Sequence, residues 1–169
     1  RYKPNAKGPN KMISWGPGFG AGRLFNPKEL VGLDEVFLCE GEMDYLVARQ
    51  HKVPAATHTS GAGHFKPQWG PAFKGKVVYV AYDEDQSGDK GASKVASMLK
   101  NYAEAVYRVH LGTDIKSGDV TDYFVSCGGD HDSFMMLRND ATLLWERTEK
   151  TAVPKKGKPV TVEESQNVD

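Results

Sequence analysis

The sequence predicts an α/β fold, in which a mostly parallel sheet of four strands is flanked by helices. Short β-branched apolar runs alternate along the chain with segments of helical periodicity, which is the pattern of such sheets. The chain has 169 residues and 39% hydrophobic content, enough to build one core of this size. We therefore expect strands that run in the same direction, joined by crossovers that cover the faces of the sheet.

The first part of the chain, residues 1–32, is rich in glycine, proline, lysine and asparagine. Within it, KMISW and GRLFN flank GPGFGA, which predicts a short hairpin or two strand fragments around a loop. Lysine and arginine greatly outnumber acidic residues here, although the whole chain has 22 of each charge. Such a basic flank suits contact with a polyanion, and scattered solvated charge is the alternative.

The first strand of the sheet is predicted in EVFLCE (35–40), and a helix follows in EMDYLVARQHK (42–52). A second, shorter strand is predicted in VPAATHT (53–59). The helical spacing of the apolar residues in 42–52 predicts an inward side made of Met43, Leu46 and Val47.

The second half repeats the alternation. KVVYVAYD (76–83) is the strongest strand, since it is β-branched and bounded by glycine and acids. An amphipathic helix is predicted over 88–103 and a fourth strand over 104–112. Residues 127–148 are expected to form a C-terminal helical extension, and 149–169 a disordered linker or tail with little to bury.

Carboxylates follow the predicted strands at the points where they end. Glu40 closes the first strand, and Asp83 and Asp85 follow the strongest one, two residues apart. If the extended run continues, both aspartates point to one side. Ligands of parallel sheets bind outside the carboxyl ends of the strands, so we expect these acids to meet there. Asp44 lies in the helix that follows the first strand, and three further acids, Asp114, Asp119 and Asp122, follow the fourth strand.

Several carboxylates at one edge repel each other unless a cation lies among them, and Mg²⁺ prefers such oxygen ligands. The alternative is that acids near helix N-termini are caps or partners of the helix dipole. That alternative accounts for Glu42, Asp44 and Asp89, and less well for Asp83 and Asp85 at the end of a strand.

Three motifs together carry a family resemblance. EGEMD, YDEDQSGDKGA and GDVTDYF, each after an apolar strand, resemble the TOPRIM domain, a Rossmann-like fold, and within it bacterial-type replicative primases and phage primase–helicases. The resemblance covers residues 34–124, implies a TOPRIM domain over 33–126, and makes the basic segment 1–32 part of a primase core. It assigns a catalytic role to Glu40, Asp83 and Asp85. Mg²⁺ or Mn²⁺ would be held by these three residues together with Asp44, Asp119 and Asp122.

The function that the resemblance implies is metal-dependent synthesis of RNA primers on single-stranded DNA, from nucleoside triphosphates, during replication. Nucleotide or template phosphates would meet Lys3, Lys11, Arg23 and Lys66. A zinc-binding domain and a helicase would lie elsewhere in the full-length protein or act in trans. The setting would be cytoplasmic, with a cellular, phage or mobile-element source.

Two other functions stay open at this stage. One is a TOPRIM nuclease or topoisomerase-type cleavage module, and the other is a non-catalytic nucleic-acid-binding module. One departure from the primase pattern also leaves the role of Lys116 open, since Ser117 and Gly118 separate it from Asp119.

Overall fold

The computed structural model describes residues 22–59 and 61–148. The expectations for residues 1–21, including Lys3 and Lys11, and for the tail from residue 149 lie outside the described residues. Of the predicted N-terminal strand fragments, the described part has an isolated antiparallel bridge between Leu24 and His58. No helix in the described ranges has the length and apolar character needed to span a bilayer.

A five-stranded sheet forms the centre of the fold, with the strand order β2-β1-β3-β4-β5. The strands are β1 (Glu35–Cys39), β2 (Ala55–Ala56), β3 (Val77–Ala81), β4 (Ala105–Arg108) and β5 (Thr142–Glu146). The α-helices are α1 (Glu42–Gln50), α2 (Gln86–Leu99) and α3 (His131–Met136). Short 3₁₀ helices cover Pro27–Leu30, Ala62–His64, Pro67–Phe73 and Leu137–Asp140, and a π-helical turn covers Asp122–Ser126.

The four predicted strands are confirmed, and all of them pair in parallel. β1 and β3 run in register from Glu35 opposite Val77 to Cys39 opposite Ala81, so both strands end at the same edge of the sheet. The second strand is shorter than expected, with Phe37 and Leu38 of β1 facing its two alanines.

The fifth strand is a difference from the expectation of a helical extension over 127–148. Helical structure covers Asp122–Ser126 and His131–Asp140, and the chain then turns into β5, antiparallel to β4. Its sequence TLLWE has strand propensity, but the spacing of its apolar residues also fits a helix. Pairing decides the outcome, because β4 would otherwise expose an edge of unsatisfied N–H and C=O groups.

Helix α1 is also rotated relative to the expectation. Met43 is 67% exposed and Leu46 51% exposed, while Asp44, Tyr45 and Ala48 are buried. The rotation has a physical cause on the buried side. Tyr45 packs edge-on against Phe25 and donates its hydroxyl hydrogen to Glu29, and the small Ala48 lets the helix approach the sheet.

The core lies in two layers, because successive side chains of each strand point to opposite faces of the sheet. One face packs against α2 and includes Val36, Leu38, Val78, Val80, Val95 and Leu99. The other face packs against α1, α3 and the π-helical turn and includes Phe37, Cys39, Tyr45, Ala48, Phe124 and Phe134.

The second core layer predicts a large cost for Phe134→Ala. Phe134 is fully buried, with ring centroids 4.9 Å from Phe124 and 5.1 Å from Phe37. Loss of this ring leaves a cavity, so we expect the free energy of unfolding to fall by about 3–5 kcal/mol. Urea denaturation followed by circular dichroism measures it. Met136→Ala on the same helix is the control, since Met136 is 60% exposed, and equal losses for the two variants would contradict the packing described.

Candidate metal centre

The carboxyl edge of the sheet collects acidic side chains from three parts of the chain. Because β1 and β3 end together, Glu40 and Asp83 leave the sheet side by side, and the N–H of Asp83 donates to Glu40 Oε2 at 3.4 Å. Asp44 comes from the first turn of α1, and Asp119 comes from the loop that precedes the π-helical turn. This edge is therefore built from segments far apart in sequence.

Three of these carboxylates form the centre of the site. One oxygen from each of Asp44, Asp83 and Asp119 lies within 4.8 Å of the other two. Divalent cations bind oxygen ligands at about 2.0–2.6 Å, so small side-chain movements would bring all three into contact with one ion. We call Asp44, Asp83 and Asp119 the carboxylate cluster.

The other predicted ligands surround the cluster, and hydrogen bonds hold each of them. Glu40 accepts from the backbone N–H groups of Ala62 and Asp83. Asp122 Oδ1 accepts from the Ser126 hydroxyl at 3.1 Å, and the Asp122 N–H donates to Asp119 Oδ1 at 2.7 Å. These bonds set the positions of the two acids at the border of the cluster.

The structure corrects the reading of Asp85. The Asp85 N–H donates to the Asp83 carbonyl at 2.8 Å, so the chain turns and the extended run does not continue. Asp85 is the N-cap of α2, and its Oδ1 accepts the Gly88 N–H at 2.8 Å. Capping of α2, the alternative to metal binding, therefore accounts for one oxygen of Asp85.

Burial and mutual repulsion disfavour the charged forms of these acids. Burial raises the pKa of Asp83 to about 7, helped by the negative charges of Glu40, Asp44, Asp119 and Asp85. The pKa of Asp44 is also raised, chiefly by burial, although the Thr121 hydroxyl opposes this by donating to Oδ1 at 2.8 Å. Burial likewise raises the pKa of Glu40. The edge thus holds more negative charge than its protein surroundings offset.

The predicted phosphate-binding cations of the described part have backbone contacts. The exposed Arg23 exchanges bonds with Thr59, and Lys66 donates to the Gly22 carbonyl at 3.3 Å. The ammonium of Lys66 also lies 5.8 Å from the centre of the Trp69 ring. Thr59, the partner of Arg23, and Lys66 are close in sequence to Ala62, whose N–H donates to Glu40.

Sequence reasoning missed two residues that support the cluster. The Glu84 carboxylate accepts from the N–H groups of Gly112 and Thr113 and from the Thr113 hydroxyl, at 3.0–3.1 Å. The Glu84 N–H donates to the Gly118 carbonyl at 2.9 Å, so Glu84 attaches the loop before Asp119 to the end of β3. Because Glu84 lies between Asp83 and Asp85 in the sequence, its role as a structural hydrogen-bond acceptor could not be distinguished from metal binding. The second missed residue is Arg108, whose signal was a lone arginine in an apolar strand.

Comparisons with known proteins agree with the fold. A family model described as Toprim-like matches residues 37–124. The structure of the Aquifex aeolicus primase, with zinc binding and RNA polymerase domains, superposes with a TM-score of 0.55 at 21% identity. The match covers 66% of this chain and 27% of that one. A search of curated protein sequences gives no significant match.

A second solved structure contains bacteriophage T7 lagging-strand DNA polymerase interacting with primase domains of two gp4 subunits, bound to an RNA/DNA hybrid and dTTP. It superposes with a TM-score of 0.51 at 19% identity, covering 65% of this chain and 56% of that one. At these identities the two structures establish the fold. The chain spans about a quarter and about half of the lengths of the two matched chains.

The raised pKa of Asp83 predicts that Asp83→Asn stabilises the protein at neutral pH. The folded value of about 7 exceeds the ordinary value of 3.8, so the protonated carboxyl stabilises the fold below pH 3.8 and this stability is lost as pH rises to about 7. The amide of the Asp83→Asn variant does not ionise, so the variant keeps this stability as the pH rises. Without divalent cations, we expect the variant to gain about 1–2 kcal/mol at pH 8, after allowance for solvent screening.

Urea unfolding in EDTA at pH 5, 6, 7 and 8 measures this difference. The gap between variant and wild type should widen up to pH 7 and then stay constant. Asp132→Asn is the control, because that side chain is 96% exposed. A gap for Asp83→Asn that does not change with pH would contradict the assignment.

Proposed function

The chain belongs to the Toprim-like family, and on this premise we propose that it is part of the catalytic core of a DNA-dependent RNA primase. Such a protein joins ribonucleotides into a primer on a single-stranded DNA template. The fold shared with bacterial and phage primases supports the proposal. The single observation that carries it is the convergence of Asp44, Asp83 and Asp119 at the carboxyl edge of a parallel sheet.

The donor set fits a hard divalent cation. All three members of the cluster offer carboxylate oxygens, without the sulfur or imidazole that would favour a softer metal. The pKa of Asp83, raised to about 7 by burial and by neighbouring acids, indicates a charge excess that Mg²⁺ or Mn²⁺ would offset. We propose that the cluster holds such an ion, with Glu40, Asp85 and Asp122 supporting a second ion or orienting its waters.

The residues of this chain would prepare the site for nucleotidyl transfer. A bound divalent cation supplies charge neutralisation for the nucleotide phosphates and lowers the pKa of the attacking hydroxyl. Thr121 holds Asp44 through its N–H at 3.2 Å and its hydroxyl at 2.8 Å. The N–H groups of Ala62 and Asp83 hold Glu40. These bonds keep the acids in place before the substrate arrives.

Basic residues at the flank would attract the anionic partners. Lys3, Lys11, Arg23 and Lys66 are our candidates for contact with the nucleotide triphosphate or the template backbone. A zinc-binding domain and a helicase, in the full-length protein or in trans, are the partners that we propose for template recognition and unwinding.

The test of this function is ribonucleotide incorporation on random single-stranded DNA templates, with Mg²⁺ and with Mn²⁺. We expect primer synthesis by the wild-type chain, and its loss by at least 100-fold in Asp83→Ala and in the double variant Asp83→Ala, Asp85→Ala, because the ligands of the proposed ion are gone. The single variant leaves the cap of α2 intact and so separates chemistry from folding. Asp132→Ala, which is remote from the cluster, should keep full activity; retained synthesis in Asp83→Ala would refute the assignment.

Hydrolysis of a phosphodiester is the second candidate, since the same carboxylates could serve a metal-dependent nuclease. Nicking of supercoiled plasmid in Mn²⁺ without nucleotide incorporation would favour it. Tyr82 is unsuited to act as a covalent nucleophile, because it is fully buried and its hydroxyl lies 2.9 Å from His58 Nε2.

A module with no catalytic role would take up neither Mg²⁺ nor Mn²⁺ in a calorimetric titration.

A further inference from the structure

Arg108 is a buried cation beneath the acidic edge. It is the last residue of β4 and is 4% exposed. Its Nη1 donates to the carbonyls of Tyr82 at 2.8 Å and Val109 at 3.1 Å, and its Nη2 donates to the carbonyl of Asp83 at 2.8 Å. Its Nε donates to Asp89 Oδ1 at 3.1 Å. One guanidinium thus connects β4, the end of β3 and the first turn of α2.

The main chain at the end of β3 needs this partner. The pairing of β3 with β4 ends at Val80 opposite Arg108, so Tyr82 and Asp83 lie beyond the ladder. The buried Tyr82 carbonyl needs a hydrogen-bond donor, and the planar fork of Arg108 supplies one. The same fork gives the Asp83 carbonyl a second donor beside the Asp85 N–H. The side chain of Arg108 therefore supplies hydrogen bonds to the main chain beyond the end of the ladder, at Tyr82 and Asp83.

Gly88 makes the close approach of these segments possible. A Cβ at this position would lie 2.1 Å from the carbonyl oxygen of Asp83 and 3.3 Å from Nη2 of Arg108. The absence of a side chain lets the first turn of α2 pack directly on the carbonyl that Arg108 holds. The same turn carries Asp89, so the packing and the ion pair support one arrangement.

The described hydrogen bonds of Arg108 do not go to the carboxylates of the cluster. Its carboxylate partner is Asp89, whose side chain is 65% exposed, and its other described bonds go to backbone carbonyls. A cation that neutralised the cluster directly would compete with a metal ion. Arg108 instead donates mainly to backbone carbonyls and leaves the carboxylate oxygens of Asp44, Asp83 and Asp119 available to a metal ion.

We propose that Arg108 is a positioning residue for the carboxylate cluster. By fixing the carbonyls of Tyr82 and Asp83, and through Asp89 the start of α2, it holds the Asp83 side chain beside Asp44 and Asp119. This inference rests on the proposed function, to the extent that the cluster binds a divalent cation. It assigns to Arg108 control of metal affinity without contact with the metal.

The direction in which Arg108→Met changes the affinity for Mn²⁺ separates a positioning role from a purely electrostatic one. Arg108→Met removes a buried positive charge close to the cluster, and through charge alone it would make a cation bind more tightly. Positioning predicts the opposite, a loss of Mn²⁺ affinity of about 10-fold or more, as is usual when residues behind metal ligands are removed. Arg108→Lys keeps the charge but lacks the fork, so we expect it also to bind Mn²⁺ more weakly than wild type.

Isothermal titration of the metal-free chain with Mn²⁺ at pH 8 measures these affinities. Amide hydrogen exchange gives a readout that needs no metal, and residues 82–88 should exchange faster in both variants. An Arg108→Met protein that is folded and binds Mn²⁺ as tightly as wild type, or more tightly, would overturn the inference and leave the proposed metal centre standing. Absence of Mn²⁺ binding by wild type would overturn the metal centre and the inference together.

Asp89→Asn provides a second test, because this exposed residue can change without loss of the fold. It should weaken Mn²⁺ binding several-fold at both 50 mM and 500 mM KCl, since the neutral amide ends the ion pair that orients the guanidinium. Glu42→Gln is the matched control, because Glu42 is an exposed acid in the first turn of α1. Any effect of its lost charge should disappear at high salt, where screening is strong. An Asp89→Asn effect that also disappears would overturn the positioning role.

Discussion

The parallel pairing of β1 with β3 is the constraint on which the rest of the site depends. Because the two strands are in register to their last residues, Cys39 and Ala81, the chain leaves the sheet twice at nearly the same place. Each exit carries an acid, so the carboxylates of Glu40 and Asp83 meet there, and the Asp83 N–H donates to Glu40 Oε2. The free energy that holds them there comes from the apolar residues of β1 and β3, most of which are buried, although Val77 and Tyr79 are only partly so.

Placing carboxylates so close together has an energetic cost, which the surrounding main chain offsets in part. The N–H groups of Ala62, Asp83 and Thr121 donate to Glu40 and Asp44, and the Gly88 N–H donates to Asp85. These donors stabilise negative charge without neutralising it. A pKa of about 7 for Asp83 is the remaining sign of the cost. Strain of this kind is common where a protein keeps ligands ready for a charged partner.

A second layer of residues determines where the acids point. Glu84 attaches the loop of Gly112 and Thr113 to the end of β3, and Arg108 holds the carbonyls on the opposite side of the same turn. Asp83 lies between them, so its backbone is fixed from two directions. Neither Glu84 nor Arg108 belongs to the cluster. Both are charged residues whose hydrogen bonds go mainly to backbone groups, which is how they can orient the site without occupying it.

The limits of sequence reasoning appear in particular residues. Asp83 and Asp85 look equivalent in the sequence, yet the turn at Asp83 directs one toward Asp44 and gives the other to the N-terminus of α2. TLLWE could pair with β4 or continue a helix, and only the unpaired edge of β4 decides it. Met43 and Leu46 have the spacing of a buried face, but Tyr45 finds its partners on the other side of the helix.

The sequence by itself determined the order of the first four strands and of the helices α1 and α2 between them, and the location of acids at strand ends. It could do so because apolar periodicity and strand termini are properties of consecutive residues. Only the tertiary structure decided which acids meet and which side chains hold them. Asp44 and Thr121, for example, are 77 positions apart and touch because the sheet brings α1 next to the last loop. Contacts of that kind depend on the whole packed core, so no local pattern could contain them.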